Sequence, residues 1–329
     1  MTHAPDTPAI HTRGLARAFD GVPAVSALDL EVRRGEMFGL VGPDGAGKST
    51  AIRLLCGILR PTGGEGRVLG YDLRREAEAI KARIGYLSQS FTLYGDLTVD
   101  ENIEFFAAIH GVAGFRSRRD ELLEFTRLTP FRRRLADALS GGMKKKLALA
   151  CTLIHTPELI LLDEPSTGVD PVSRGEFWNI LSQILAQGVT VFMTTPYLDE
   201  AERCHRVSLM HHGRVLQVGT PEEIKASLPG QIFRFDCAAP AKAYASLSTR
   251  WPATQLVLYG DRLHFWTPAG ERDAQAAVDW LNQQSLGPAH FRQVSPTLED
   301  VFVARLGGGG EEKEPDHETL QAKGLAQAG

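Results

Sequence analysis

The 329-residue chain carries a net charge of −4, with 43% hydrophobic and 23% charged residues. That balance excludes a disordered chain and gives no basic field for nucleic acid, and no run approaches the ~18 apolar residues of a membrane span. The length predicts about two domains. Cys56, Cys151, Cys204 and Cys237 form no CxxC pair, and three of them sit in apolar or helical surroundings. This predicts buried free thiols in a reducing compartment. The first residues lack the basic-then-apolar run of a secretion signal, so none is expected.

In chain order, Ile10–Phe19 and Leu28–Arg33 read as strands around a turn at Gly21. Phe19 is either a core aromatic or an outward-facing one. Met37–Val41 reads as a buried strand, and it runs into Gly42, Pro43, Asp44, Gly45, Ala46, Gly47, Lys48, Ser49 and Thr50. This fits G-x-x-x-x-G-K-[ST], the phosphate-binding P-loop. The glycines let backbone N–H groups turn toward an anion, and the following helix adds the positive end of its dipole. Lys48 is placed to reach the β- and γ-phosphates, and the Ser49 hydroxyl to bind Mg2+. Ile52, Leu55, Cys56 and Leu59 fall on one face of the helix that follows.

Residues 60–66 read as a loop, Val68-Leu69 as a short strand, 74–83 as a polar helix and Ile84–Leu87 as a buried strand. Gln89, at that strand's end, can reach a metal or a water. Residues 90–97 read as a loop exposing Phe91, Leu93 and Tyr94, a candidate partner surface. A helix begins at Thr98, and helical patterns continue to about Leu135 as a block inserted between strands. Ser140, Gly141, Gly142 and Met143 open another helix, an anion site of the same physical kind as the P-loop. Lys144, Lys145 and Lys146 there suit a bound polyphosphate or form a solvated charge run.

Leu159–Leu162 is an apolar strand ending in Asp163 and Glu164. Asp163 can hold Mg2+ through water, and Glu164 can take a proton from an attacking water. Residues 166–170 form a turn, and Pro171 opens a helix. Strands follow at 189–193, 206–210 and 214–217, with short helices at 197–203 and 222–227. From Gln231 the order strand, helix, strand, strand, helix, strand predicts a ferredoxin-like split-βαβ unit. Ser295 is expected to cap a last helix with Pro296 at its first position, running to about Leu306. The Gly-rich, charged segment 307–329 is expected to be disordered.

These motifs, in this order over about residues 8–228, resemble the ATP-binding cassette of ABC transporters. The fold implied is α/β: a P-loop NTPase cassette at 1–229, with a helical subdomain at about 90–157, plus a small α+β domain at 230–306. By the resemblance Gln89 is the Q-loop residue, Leu139–Met143 the LSGGQ signature with Met143 in the Gln place, and Ser166–Asp170 the D-loop. Phe19 matches the aromatic that stacks on adenine. The resemblance implies ATP and Mg2+ as cofactors. It also implies a head-to-tail dimer with a second cassette, identical or not, in which Ser140, Gly141 and Gly142 close over the partner's P-loop.

The C-terminal part, with Leu298–Phe302, resembles the ABC-2 exporter branch. This implies an ATPase on the inner face of the cell membrane, powering a separate ABC-2 type permease. One residue departs from the family: Pro196 stands where its switch histidine contacts the γ-phosphate, and proline offers neither imidazole nor N–H. A slow or degenerate ATP-sensing cassette paired with a second cassette is the alternative. A ribosome-acting cassette is disfavoured because such proteins usually carry two cassettes, a chromosome-type one because Gln89 to Ser140 has room only for a compact helical block, and both because the sequence shows no basic stripe.

Overall fold

The computed structural model describes residues 7–90, 93–260, 262–287 and 291–308. Contacts divide the chain into two units at Ile224, just before the 229/230 boundary expected from sequence. The first unit opens with β1 (Ile10–Phe19) and β2 (Val22–Val32), then β3 (Met37–Val41) and α1 (Lys48–Leu55). β4 (Gly63–Val68), β5 (Tyr71–Asp72), α2 (Ala77–Lys81) and β6 (Ile84–Leu87) follow. The inserted helices are α3 (Val99–Ile109), α4 (Phe115–Phe125) and α5 (Gly141–Leu153). The chain returns through β7 (Leu159–Asp163), α6 (Pro171–Ala186), β8 (Thr190–Thr195) and α7 (Leu198–Ala201). β9 (Arg206–His211), β10 (Arg214–Gly219) and α8 (Pro221–Ala226) end this stretch.

The central sheet has the order β10-β9-β3-β8-β7-β6. β9, β3, β8, β7 and β6 are parallel, and β10 is an antiparallel edge. Every residue of β3, β7 and β8 is buried. That is the pattern of a parallel sheet covered on both faces. Phe38 and Phe192 stack at 5.8 Å between neighbouring strands and pack with Ile52 and Leu55 of α1. Because the strands run the same way, Val41, Leu87, Asp163, Thr195 and His211 all arrive at one edge. Ligands of open α/β sheets bind at that carboxyl edge.

A second sheet, β2-β1-β4-β5, flanks the first. Residues 63–66, read from sequence as loop, belong to its strand β4. Gly64 shows why: a Cβ there would lie 2.0 Å from the Gly14 carbonyl oxygen, so glycine permits the pairing rather than marking a loop. The helix expected at 74–83 begins only at Ala77. The Asp72 carboxylate accepts from the backbone N–H groups of Arg74 and Arg75 and holds them in a turn instead. Tyr94 is exposed, yet its ring meets Phe105 edge-on at 4.4 Å and its backbone bonds to Asn102. The loop thus folds back on its own helical block; Leu93 is half-buried, and Phe91 lies outside the described residues.

The second unit contains β11 (Gln231–Phe235), α9 (Pro240–Leu247), β12 (Leu256–Tyr259), β13 (Arg262–Thr267), α10 (Glu271–Gln283), β14 (Phe291–Val294) and α11 (Leu298–Gly308). Its sheet order is β12-β13-β11-β14, with every neighbouring pair antiparallel. This is the ferredoxin-like arrangement that the element order predicts. Phe233, Phe235, Leu263 and Phe265 of the sheet pack with Leu247 and Leu281 of the helices.

The last helix is capped by Thr297, not Ser295, and it starts two positions later than expected. Asp300 N donates to Thr297 Oγ1 at 3.1 Å and Thr297 N donates to Asp300 Oδ2 at 2.8 Å, a reciprocal cap. The buried Asp300 also bonds His264 Nδ1 at 3.1 Å, and Thr297 bonds the Tyr259 hydroxyl at 2.7 Å. The helix runs to Gly308, past 306, and residues 309–329 lie outside those described. Thr297→Ala removes the cap and the Tyr259 contact together. It should lower stability by about 1–2 kcal/mol, read as an earlier chemical denaturation midpoint; an unchanged midpoint would contradict the cap.

Candidate nucleotide-binding site

The P-loop is held open by its neighbours' backbones. A Cβ on Gly42 would lie 2.1 Å from the Met210 carbonyl oxygen, and one on Gly47 would lie 2.3 Å from that of Ala24. Gly47 is also the N-cap of α1 at φ 100°, a left-handed conformation that costs an L side chain about 1–2 kcal/mol. Gly213 N donates to the Ala46 carbonyl at 2.9 Å, and Gly213 O accepts from Ser26 N at 2.7 Å. The β9–β10 turn thereby ties the loop to β2.

Lys48 is 4% exposed, although it carries an ammonium. It donates to the carbonyls of Gly42 at 2.9 Å and Pro43 at 3.0 Å, and pairs with Glu164 Oε1 at 3.1 Å. Asp44, 3.8 Å away, is a distant and solvated second carboxylate. The other Glu164 oxygen accepts from Gln89 Nε2 at 3.0 Å. Glu164 sits at φ 48°, off the end of β7, with its N–H held by Thr194. Thus Lys48, Gln89 and Glu164, distant in sequence, form one cluster.

Asp163 is fully buried. Its Oδ1 accepts from Thr194 Oγ1 at 2.7 Å and from Ser49 Oγ at 3.1 Å. Its Oδ2 is buried without a hydrogen-bond partner among the described residues. An unpaired buried carboxylate oxygen beside a serine hydroxyl is a hard-oxygen donor set that suits Mg2+. Among the described residues no three His, Cys, Asp or Glu gather to hold a metal alone. The fit is to a cation shared with phosphate.

Lys48, Ser49, Gln89 and Glu164 line a cleft of about 550 Å³. Gly45, Gly47, Thr50, Pro196 and Thr167 of the 166–170 turn are on its wall, and so are Tyr197 and His212, which the motifs do not single out. His212 reaches it from the end of β9, on the opposite side of β3 from Pro196. Phe19 is not on the wall. It is 41% exposed with the Arg17 guanidinium 4.6 Å over its ring, so it is not a core residue. Its strand partner is Val22, next to Pro23 and Ala24, which do line the cleft.

Ser140 caps α5 by accepting from Met143 N at 3.3 Å. Ser140 and Gly141 are exposed, and neither they nor Gly142 and Met143 line the cleft of their own chain. Gly142 packs closely on Ser173 of α6. Asp170 caps α6, accepting from Val172 N at 3.1 Å and Ser173 N at 3.0 Å. Those bonds, Ser173 foremost, hold its carboxyl below the usual range. Each signature lysine has a protein partner: Lys144 meets Asp137, Lys146 meets Glu176, and Lys145 donates to the Gln89 carbonyl at 3.2 Å. Burial lowers the Lys145 pKa, against the pull of Asp163 and Glu164.

A glycine loop entering a helix, a carboxylate pair at the end of a strand two places along the same sheet and a helical insertion between strands define a P-loop ATP-binding cassette. Residues 25–167 match the family described as ABC transporter. The daunorubicin/doxorubicin resistance ATP-binding protein DrrA of Streptomyces peucetius is 37% identical over 310 residues, covering 92% of this chain and 93% of its own length. The probable multidrug ABC transporter ATP-binding protein YbhF of Escherichia coli is 39% identical over 318 residues; the match covers 93% of this chain but 53% of YbhF. The chain therefore spans about half the length of that relative.

The ATP-binding subunit of an ABC transporter superposes with TM-score 0.61 at 29% identity, over 66% of this chain and 92% of its own. A dimeric cassette in a post-hydrolysis state with ADP and phosphate gives 0.59 at 25% identity, over 64% of this chain and 98% of its own. The chain belongs to the ATP-binding proteins of ABC transporters, in the ABC-2 type exporter branch.

Gly47→Ala tests whether loop geometry, rather than composition, makes the site. Left-handed strain plus the collision with Ala24 should cut nucleotide affinity at least about tenfold while the circular dichroism spectrum persists. Full affinity would show that the loop tolerates a Cβ.

Proposed function

We propose that this chain binds ATP with Mg2+ and hydrolyses it to drive export through a separate ABC-2 type membrane permease. The observation that carries the reading is Glu164, held between Lys48 and Gln89 at the carboxyl edge of the sheet. Nucleotide phosphates entering the loop meet its N–H groups and the N-terminus of α1. Lys48 exchanges Glu164 for β- and γ-phosphate oxygens. The released carboxylate, still oriented by Gln89, then takes a proton from the water that attacks the γ-phosphate. A positioned base of this kind contributes about 10²–10⁴-fold. Mg2+, when bound, neutralises phosphate charge, and Ser49, Asp163 and Gln89 would hold it directly or through water.

Adenine stacks on Phe19 in this reading, on the ring face away from Arg17. The exposed Ser140, Gly141 and Gly142 at the start of α5, with Met143, serve the P-loop of a second cassette in a head-to-tail dimer. Asp170 holds the turn at that seam. The chain then works at the inner face of the cell membrane, bound to its permease. No described helix is long and apolar enough to cross a membrane. A second reading, a slow cassette paired with a non-identical partner, rests on Pro196, which lines the cleft without a donor.

Glu164→Gln should abolish single-turnover hydrolysis by a factor of at least about 100 while ATP still binds. Equal single-turnover rates in wild type and Glu164→Gln would remove Glu164 as the base and favour the sensing role.

A further inference from the structure

The corner of the cleft at Pro196 is not bare. β8 ends at Thr195, and Pro196 turns the chain without contributing a donor. The next residue, Tyr197, lines the cleft together with Lys48, Gln89 and Glu164. Its backbone is fixed. Tyr197 N donates to Thr195 Oγ1 at 3.0 Å, and Thr195 Oγ1 donates to Glu200 Oε2 at 2.7 Å. Glu200 is 1% exposed, and its other oxygen accepts from the Ser166 hydroxyl. The Arg174 guanidinium stands 3.8 Å from that same oxygen.

One buried carboxylate thus ties together the β8 exit, α7, the Ser166 turn and α6. A carboxylate taken out of water persists only with such partners. The ring is fixed as well, because Arg174 Cζ lies 5.2 Å over the Tyr197 ring, within cation–π range. The hydroxyl is the exception to this anchoring: among the described residues it makes no hydrogen bond. Tyr197 is 36% exposed, so the cost of an unpaired hydroxyl is met by solvent. A rigidly mounted aromatic with a free O–H donor, on the wall of an anion cleft, is an arrangement for meeting an anionic oxygen.

We propose that the Tyr197 hydroxyl donates a hydrogen bond to the terminal phosphate of bound ATP, in the corner where Pro196 offers no donor, and that Glu200 is the positioning residue that holds it there. The inference rests on the ATP-binding reading above. The terminal phosphate is the target because Tyr197 is on the β8–β7 side of the loop, with Glu164. His212 enters from the β9 side. Arg174 adds positive charge behind the ring, with Asp199 and Glu200 as its carboxylate partners.

The test is equilibrium binding of ADP and of a non-hydrolysable ATP analogue, each with Mg2+, to the full chain and to Tyr197→Phe. The substitution keeps the ring and its Arg174 contact and removes one oxygen. The analogue should bind about tenfold more weakly and ADP unchanged, as expected for one lost charge-assisted hydrogen bond to the terminal phosphate. Tyr197→His, which restores a donor, should recover part of the loss. Unchanged affinity for both nucleotides would make Tyr197 a packing residue and overturn the proposal. An equal loss for both would overturn it too, placing the hydroxyl elsewhere on the nucleotide. A wild-type chain binding neither would overturn the ATP-binding reading itself, and this inference with it.

Discussion

A buried ammonium and a buried carboxylate, Lys48 and Glu164, meet at 3.1 Å where the central sheet ends. Two charges out of water must be paired and hydrogen-bonded, or they neutralise. Here the loop carbonyls of Gly42 and Pro43 complete the lysine, and Gln89 completes the glutamate. Strand order follows from this need. β3 carries the loop, β7 the glutamate and β6 the glutamine, and β8 between β3 and β7 supplies the Thr194 hydroxyl, which donates to the Asp163 carboxylate and accepts from the Glu164 backbone N–H. The apolar, fully buried strands exist to deliver these few polar groups to one edge with little freedom.

The same pair gives the site its chemical sense. While Lys48 holds it, Glu164 is a structural counter-ion. Phosphate oxygens are stronger, multiply charged partners for an ammonium, so in the proposed function binding and liberation of the base become one event. In that proposal catalytic competence is linked to occupancy. In it, simple charge competition disfavours premature activation of water.

Much of this was legible in the sequence, because some local rules have no competitor. A loop of the form G-x-x-x-x-G-K-S between a buried strand and an amphipathic helix has one physical use. Asp163 and Glu164 stand out as charges ending an apolar run. Other features depended on partners far along the chain. Gly63 and Gly64 look like a turn until β1 is seen to press against them. Ser295-Pro296 looks like a helix start, but Thr297 and Asp300 form the better reciprocal cap. Tyr197 carries no motif of its own; its role emerges only once Thr195, Glu200, Ser166 and Arg174 converge. Phe19 was undecided between core and surface, and only its exposure separates the two.

The account stands or falls on competition between Glu164 and phosphate for Lys48. Equilibrium Mg-ATP binding to the full chain and to Glu164→Gln tests it directly. Removing the carboxylate's charge frees Lys48 of its rival, so Glu164→Gln should bind Mg-ATP at least as tightly as wild type. A marked loss of affinity in Glu164→Gln would contradict the account, because Glu164 would then be a prop of the binding site rather than a competitor released by it.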